Sequence, residues 1–153
     1  SYDEIVKMLE AIDLSKPEGG RNRAMLEVLY SSGLRVSELV ELKLANIYFD
    51  LGFLRVIGKG NKERLVPIGK DALKYIKIYM EEIRIHVPVQ KGAESHVFLN
   101  RRGKKLTRVM VFMIIKAVKP DFPLDGDQLA GILALLVSYI LGTALEDGLS
   151  ANK

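Results

Sequence analysis

The chain has 153 residues, 48% of them hydrophobic, which is enough for one globular domain with a substantial core. Its lack of cysteine excludes disulfide bonds and thiolate metal sites, and with no secretory signal visible at the acidic N-terminus we expect a cytoplasmic protein. The net charge of +4 is unevenly spread, because residues 55–116 carry fifteen Lys/Arg against five Asp/Glu while both flanking segments are acidic. Such a basic middle favours a localised anionic partner, with a solvated lysine-rich surface as the alternative.

The first third of the chain predicts three helices. Apolar residues at helical spacing predict an amphipathic helix over Tyr2–Asp13, and the Pro- and Gly-containing segment Leu14–Gly20 predicts a break. A second helix is expected over Arg21–Ser32, ended by Gly33 in a left-handed conformation. A short third helix follows over Ser37–Leu44.

The hydrophobic period then changes from that of a helix to that of a strand. Ile47–Phe49 and Phe53–Ile57 predict two strands joined by a tight turn. Arg64–Ile68 predicts a third strand beyond a glycine-bounded turn. Consecutive short strands with short connections indicate a small antiparallel sheet rather than a βαβ unit.

The remainder is mostly helical. A helix is predicted over Ala72–His86, a brief extended piece over Val97–Leu99, and a helix capped by Thr107 that runs to about Val118. The apolar segment Gln128–Glu146 predicts a buried core helix in preference to a membrane span, because it contains glycines and lacks basic flanks. The fold class is therefore mainly α with a small antiparallel β-sheet (α+β), in one domain over residues 1–153.

Two short motifs carry the functional information. Gly33-Leu34-Arg35-Val36-Ser37-Glu38-Leu39 places an arginine at the break between two helices, and Gly58-Lys59-Gly60-Asn61-Lys62-Glu63-Arg64-Leu65-Val66-Pro67 is a basic turn between two strands. A guanidinium offers two parallel donors, and a lysine on a hairpin offers a mobile ammonium. Arg35 and Lys59 on separate elements would together suit a site that grips a phosphodiester.

The order of these motifs resembles the catalytic domain of the tyrosine recombinases, the phage integrase family, and most of all its Xer-type members. The similarity covers about Arg21 to Lys116 and includes Val97-Phe98-Leu99-Asn100. It implies DNA strand cleavage and rejoining through a phosphotyrosine intermediate, without metal or cofactor. Under the resemblance Arg35 holds the scissile phosphate and Lys59 protonates the leaving 5′ oxygen, as catalytic residues. Glu38 either supports Arg35 or is a plain helix-start glutamate.

The downstream half of the family's site has no counterpart in the sequence. The family pattern requires a His-x-x-Arg box and a late tyrosine, yet both histidines lie upstream of that place and no arginine follows Arg108. A tentative register puts Ala134 and Val137 at the box positions, and Tyr139 is expected to be a core residue. We therefore expect a catalytically incomplete domain with an atypical or replaced segment at 121–153. A degenerate relative, an altered segment and a fragment completed by a partner all remain open.

Double-stranded DNA is the expected partner. Basic residues on or beside the hairpin and the loop at 100–108 are the candidate phosphate contacts. They are Arg55, Lys62, Arg64, Arg101, Arg102, Lys104, Lys105 and Arg108.

Two alternatives to this DNA-binding function stay open. The fold could serve as an inactive scaffold for protein–protein interaction, with further protomers docked through the 128–146 helix. It could also be a full recombinase whose missing groups come in trans. No membrane association is expected under any of these hypotheses.

Overall fold

The computed structural model describes residues 2–118. The predicted helix over 128–146, the atypical segment at 121–153 and the positions compared with the His-x-x-Arg box lie outside these residues. The described part is mainly helical with one three-stranded antiparallel sheet, so the predicted fold class is confirmed. Its main elements in chain order are α1 (Tyr2–Glu10), α2 (Pro17–Ser32), α3 (Val36–Val40), β1 (Ile47–Tyr48), β2 (Phe53–Ile57), β3 (Glu63–Pro67), α4 (Lys70–Ile78) and α5 (Arg108–Val118).

Helix α2 begins four residues earlier than the sequence predicts. Pro17 occupies the first turn, where its fixed φ and missing N–H cost nothing. Gly19 and Gly20, interpreted as a break, lie inside the helix. Both positions require glycine for packing, because a Cβ at Gly19 would overlap the main chain of Asp13 and one at Gly20 would overlap the side chain of Ile83. The predicted end is confirmed: Gly33 has φ 66° and its N–H donates to the Leu29 carbonyl.

The helix predicted over 72–86 is irregular in its second half. Helix α4 starts at Lys70, and its last regular turn leads into a wider π turn at Tyr79–Ile83 and a 3₁₀ turn at Arg84–His86. Ile76 and Tyr79 are fully buried. The Tyr79 ring stacks on Phe98 with centroids 5.5 Å apart, and its hydroxyl accepts a hydrogen bond from the Leu99 N–H. The predicted extended piece at 97–99 is thereby fixed to the helical layer.

The sheet has the order β1-β2-β3, and its strands match the predicted ones to within about one residue. Leu54 pairs with Val66, and both side chains face the core. The strand period of two therefore sends Phe53, Arg55 and Ile57 to the opposite face. Leu65, opposite Arg55, is exposed on that outer face as well.

The core joins the helical layer to the inner face of the sheet. Arg84 connects this core to the segment before the basic loop, because its guanidinium donates to the carbonyls of Glu94, His96 and Val97. The largest fully buried side chains of the core include Met25, Leu34, Leu39, Leu106 and Ile115.

Among residues 2–118, no helix is long and apolar enough to cross a membrane.

Candidate functional site

Arg35 is held at the turn between α2 and α3. It is the residue just before the first turn of α3, with extended backbone angles (φ −70°, ψ 150°). Its N–H donates to Glu38 Oε1 at 3.0 Å, so the glutamate three residues later caps the start of the helix. The local sequence thus fixes the backbone of Arg35, whose side chain is half-buried.

Glu38 also joins this turn to the hairpin. Its side chain is 5% exposed, and both of its oxygens accept hydrogen bonds from the guanidinium of Arg64 on β3, with Nη2 to Oε1 at 2.9 Å. Burial alone would raise the pKa of Glu38, but the hydrogen bonds from Arg64 and from the Arg35 N–H outweigh it and lower the pKa below 4.5. The carboxylate is therefore charged at neutral pH and braces α3 against β3. This geometry matches the interpretation in which Glu38 supports Arg35, and not the one in which it is a plain helix-start glutamate.

The hairpin turn packs against that brace. A Cβ placed on Gly58 would lie 3.2 Å from both Arg64 Nη1 and Glu38 Oε2, so the chain beside Lys59 runs directly over the ion pair. Gly60 adopts the left-handed conformation (φ 71°) that closes the turn. Arg35 and Lys59 are thus carried by elements that meet at Glu38. Lys59 is exposed and is not buried against aliphatic neighbours.

A groove of about 350 Å³ opens beside the brace. One wall comes from residues 41–46, and the other from β2 and the hairpin turn, including Arg55, Gly58 and Asn61. Glu38, which belongs to α3, also lines the groove. The groove thus follows the base of the hairpin that carries Lys59.

The three basic hairpin residues predicted to contact DNA occupy different positions. Arg55 lies on the outer face of the sheet and pairs with Glu63 on the neighbouring strand, with Arg55 Nε 3.1 Å from Glu63 Oε2. Arg64 faces α3 and is committed to Glu38. Lys62 is exposed at the turn. The cations therefore differ in their partners: Arg64 is bonded to a buried carboxylate, Arg55 to an exposed one, and Lys62 is exposed.

The basic loop after residue 99 owes its shape to the backbone. Asn100 Oδ1 accepts from the N–H groups of Arg102 and Lys104, and the Asn100 N–H donates to the Lys104 carbonyl at 2.7 Å. Gly103 is buried with φ 82°, and a Cβ there would overlap the Pro88 carbonyl. This geometry leaves the side chains of Arg102 and Lys104 pointing to solvent.

The other cations of this region are exposed, and acidic side chains lie beside Arg101 and Lys105. Arg101 pairs with Glu18, with Nε to Oε1 at 2.6 Å, and Lys105 pairs with Glu41. Arg108 is exposed at the start of α5. Surface pairs of this kind are weak, so phosphate oxygens can replace the carboxylates at little cost.

Sequence reasoning missed a cluster beside the groove. His96 is buried, and its Nε2 lies 3.0 Å from Lys43 Nζ and 3.3 Å from Glu41 Oε2. The three residues are up to 55 positions apart, and a lone histidine in a strand-like segment gives no signal of such a partner. Within the part of the chain that the structure describes, no group of three His, Asp or Glu side chains could hold a metal ion.

Comparison with known proteins decides the family. The profile described as "Phage integrase family" matches residues 1–126. The chain belongs to the phage integrase family. Curated members of this family include tyrosine recombinase XerD of Listeria innocua, 44% identical over 121 residues, covering 79% of this chain and 41% of that protein. XerD of Staphylococcus aureus strain Mu50 is 46% identical over 116 residues, covering 76% of this chain and 39% of that protein.

Solved structures of the phage integrase family have the same fold. XerA recombinase aligns with a TM-score of 0.68 at 21% identity, over 82% of this chain and 43% of that one. XerH site-specific recombinase aligns with a TM-score of 0.65 at 25% identity, over 77% of this chain and 35% of that one. The chain thus spans about two fifths of the length of the curated XerD proteins that it matches. The resemblance to Xer-type tyrosine recombinases predicted from the two motifs is confirmed.

Proposed function

We propose that this chain is the DNA-binding core of the catalytic region of a site-specific tyrosine recombinase. The observation that carries the proposal is the Glu38 carboxylate, which joins the Arg35 turn to the hairpin of Lys59 through Arg64. A guanidinium and an ammonium held on braced elements suit the grip of one sugar-phosphate linkage. The XerH structure is a complex with its difH substrate, which supports duplex DNA as the partner here.

In this proposal Arg35 and Lys59 are the catalytic residues. Arg35 would donate two hydrogen bonds to non-bridging oxygens of the scissile phosphate and offset the charge that builds up during its displacement. Lys59 would give its proton to the departing 5′ oxygen, since a flexible side chain on an exposed turn can deliver a proton to the groove. Neither role calls for a metal or an organic cofactor.

The surrounding cations would follow the DNA backbone. Lys62, Arg102 and Lys104 are exposed, without an ion pair to another described residue, and would bind phosphates directly. Arg55, Arg101 and Lys105 would exchange exposed carboxylate partners for phosphate, and Arg108 extends the same basic region. Arg64 would contribute mainly by holding Glu38.

We also propose that the 153-residue chain binds DNA without completing strand exchange. The sequence contains no His-x-x-Arg box, so a second clamp on the phosphate is missing. Loss of one such group typically lowers a catalytic rate by about 10²- to 10³-fold.

A gel-shift series on duplex DNA tests the binding. The logarithm of the association constant should fall linearly with the logarithm of salt concentration. Replacing Lys62, Arg102 and Lys104 together by Ala should make the negative slope of this line shallower by about 2.7, because each phosphate contact contributes about 0.9 to its magnitude. The matched control replaces three exposed lysines of α4 by Ala and should leave the slope unchanged: Lys70, Lys74 and Lys77.

The outcome separates the two classes of function. Salt-dependent binding that the triple variant weakens supports the recombinase core. Absence of binding, or binding that does not respond to salt, would overturn it and favour a scaffold for protein–protein interaction.

A nicked suicide duplex tests the chemistry. It traps a covalent protein–DNA product whenever a tyrosine attacks the phosphate. We expect no band that survives denaturant with the chain alone. A covalent band from two chains mixed on one substrate would show that the missing groups are supplied in trans.

A further inference from the structure

We propose that Lys43 is an additional phosphate-binding residue of this site and that the buried imidazole of His96 orients it. This role deepens the proposed function and depends on it. Lys43 belongs to neither sequence motif. It lies in the wall of the groove at the base of the hairpin.

Lys43 and His96 are in contact through both their side chains and their backbones. Lys43 Nζ lies 3.0 Å from His96 Nε2, and residues 43 and 96 form an isolated antiparallel β-bridge. The carbonyl of His96 is in turn bonded to the guanidinium of Arg84. Both the backbone and the ring of His96, which is only 6% exposed, are therefore held in place.

The chemistry of the pair sets the direction of the hydrogen bond. An ammonium can only donate, so in this contact Lys43 Nζ donates and His96 Nε2 accepts. The same Nε2 lies 3.3 Å from Glu41 Oε2, so the imidazole stands between the ammonium and a carboxylate. Nδ1 is buried and has no hydrogen-bond partner among the described residues, which is a cost to folding. In this proposal the imidazole, held beside both Lys43 Nζ and Glu41 Oε2, orients the ammonium of Lys43.

Lys43 shares its groove with the hairpin turn. Gly58 and Asn61 line the same groove, on either side of the turn that carries Lys59. The two glutamates of the groove already have partners: Glu38 is bonded to Arg64, and Glu41 is bonded to Lys105 and lies 3.3 Å from His96 Nε2. A phosphodiester next to the one at Lys59 would therefore meet the positive charge of Lys43.

Salt-dependent DNA binding by the full 153-residue chain tests the phosphate contact. The slope of log K against log salt is negative, and Lys43→Met should make it shallower by about 0.9. Lys43→Arg should leave the slope unchanged. The control Lys77→Met removes an exposed lysine of α4 outside the groove and should keep the slope of the unmodified chain.

Substitution of His96 tests the orienting role. His96→Gln retains an acceptor and should bind DNA nearly as well as the unmodified chain, whereas His96→Leu should lower affinity by about the same factor as Lys43→Met. Adding His96→Leu to Lys43→Met should then bring no further loss. Urea unfolding of each variant identifies a loss that comes from misfolding alone.

Each result bears on a different claim. If the unmodified chain binds DNA with a steep salt slope but Lys43→Met keeps that slope, Lys43 is not a contact and the inference is wrong while the proposed function stands. If the two substitutions add independently, His96 does not act through Lys43, which also overturns the inference. Failure of the unmodified chain to bind duplex DNA overturns both proposals. Should His96→Leu fail to fold, Lys43→Met against Lys43→Arg still decides the contact.

Discussion

The hairpin and the basic loop at 100–105 both carry cations, but their shapes have opposite origins. At the hairpin, a charged pair defines the geometry, because Arg64 binds a carboxylate that is 5% exposed and that also caps α3. In the loop, Asn100 and Gly103 define it through backbone hydrogen bonds, and the cations make only exposed pairs. Charge is therefore structural in the first region and available for ligands in the second. Substitutions should separate the two cases.

The largest loss of stability is expected from Gly103→Ala. The added methyl would overlap the Pro88 carbonyl, and residue 103 has a left-handed backbone that a Cβ disfavours. We expect the free energy of unfolding to fall by about 3 kcal/mol, measured by urea denaturation. Gly92→Ala is the control, since its φ of 95° is also positive but nothing lies within 4 Å of the new methyl. Equal losses in the two variants would contradict the packing argument.

The next largest loss is expected when the hairpin brace is broken. Glu38→Leu leaves the guanidinium of Arg64 and the N–H of Arg35 without this acceptor, at a cost of about 2 kcal/mol in unfolding free energy. Arg64→Met should cost at least as much, because it leaves the Glu38 carboxylate, which is 5% exposed, without its ion-pair partner. The double variant should be less destabilised than the sum of the two, as a double-mutant cycle in urea would show. Strict additivity would mean that the pair does not couple.

The same brace makes stability depend on pH in a defined direction. The pKa of Glu38 is lowered in the folded state, so its contribution is fully present above its unfolded value near 4.5. That contribution is lost as pH falls through the lower folded value. Unfolding free energy measured from pH 6 down to pH 3 should therefore drop less steeply in Glu38→Gln than in the unmodified chain. Parallel curves would show that other carboxylates account for the acid sensitivity.

The smallest effect on stability is expected from the loop cations. Arg102→Ala and Lys104→Ala remove exposed side chains whose backbone carries the structural bonds, so each should change unfolding free energy by less than about 0.5 kcal/mol. Arg101→Ala also loses its exposed pair with Glu18, for which up to about 1 kcal/mol is typical. A loss of 2 kcal/mol in any of them would show that this loop, like the hairpin, depends on its charges. If the expectation holds, these variants give clean tests of DNA binding.

Local signals in the sequence were sufficient for most of the fold. Strand alternation and the Gly33 stop each act over a few residues, and the structure confirms them. The sequence predicts the start of α2 too late, because Gly19 is required by a close approach to the Asp13 carbonyl and does not mark a break. The end of the predicted 72–86 helix likewise depends on contacts with residues 94–97.

The candidate site was predictable in its motifs and less so in its connections. The register of the hairpin puts Arg55 and Arg64 on opposite faces, and alternation alone could have separated them. The bond between Glu38 and Arg64 joins positions 26 apart and needs the folded hairpin. The pairing of Lys43 with His96 spans 53 positions and left no pattern to read.

The guanidinium of Arg84 has a consequence for how the molecule opens. It binds the carbonyl oxygens of Glu94, His96 and Val97 just ahead of the basic loop, so we expect local opening of that loop to stop there and not to spread into α4. Amides at 100–105 should exchange with solvent deuterium well before those at 96–99. A DNA strand that changes the conformation of the loop would thus leave the packing of the core unchanged.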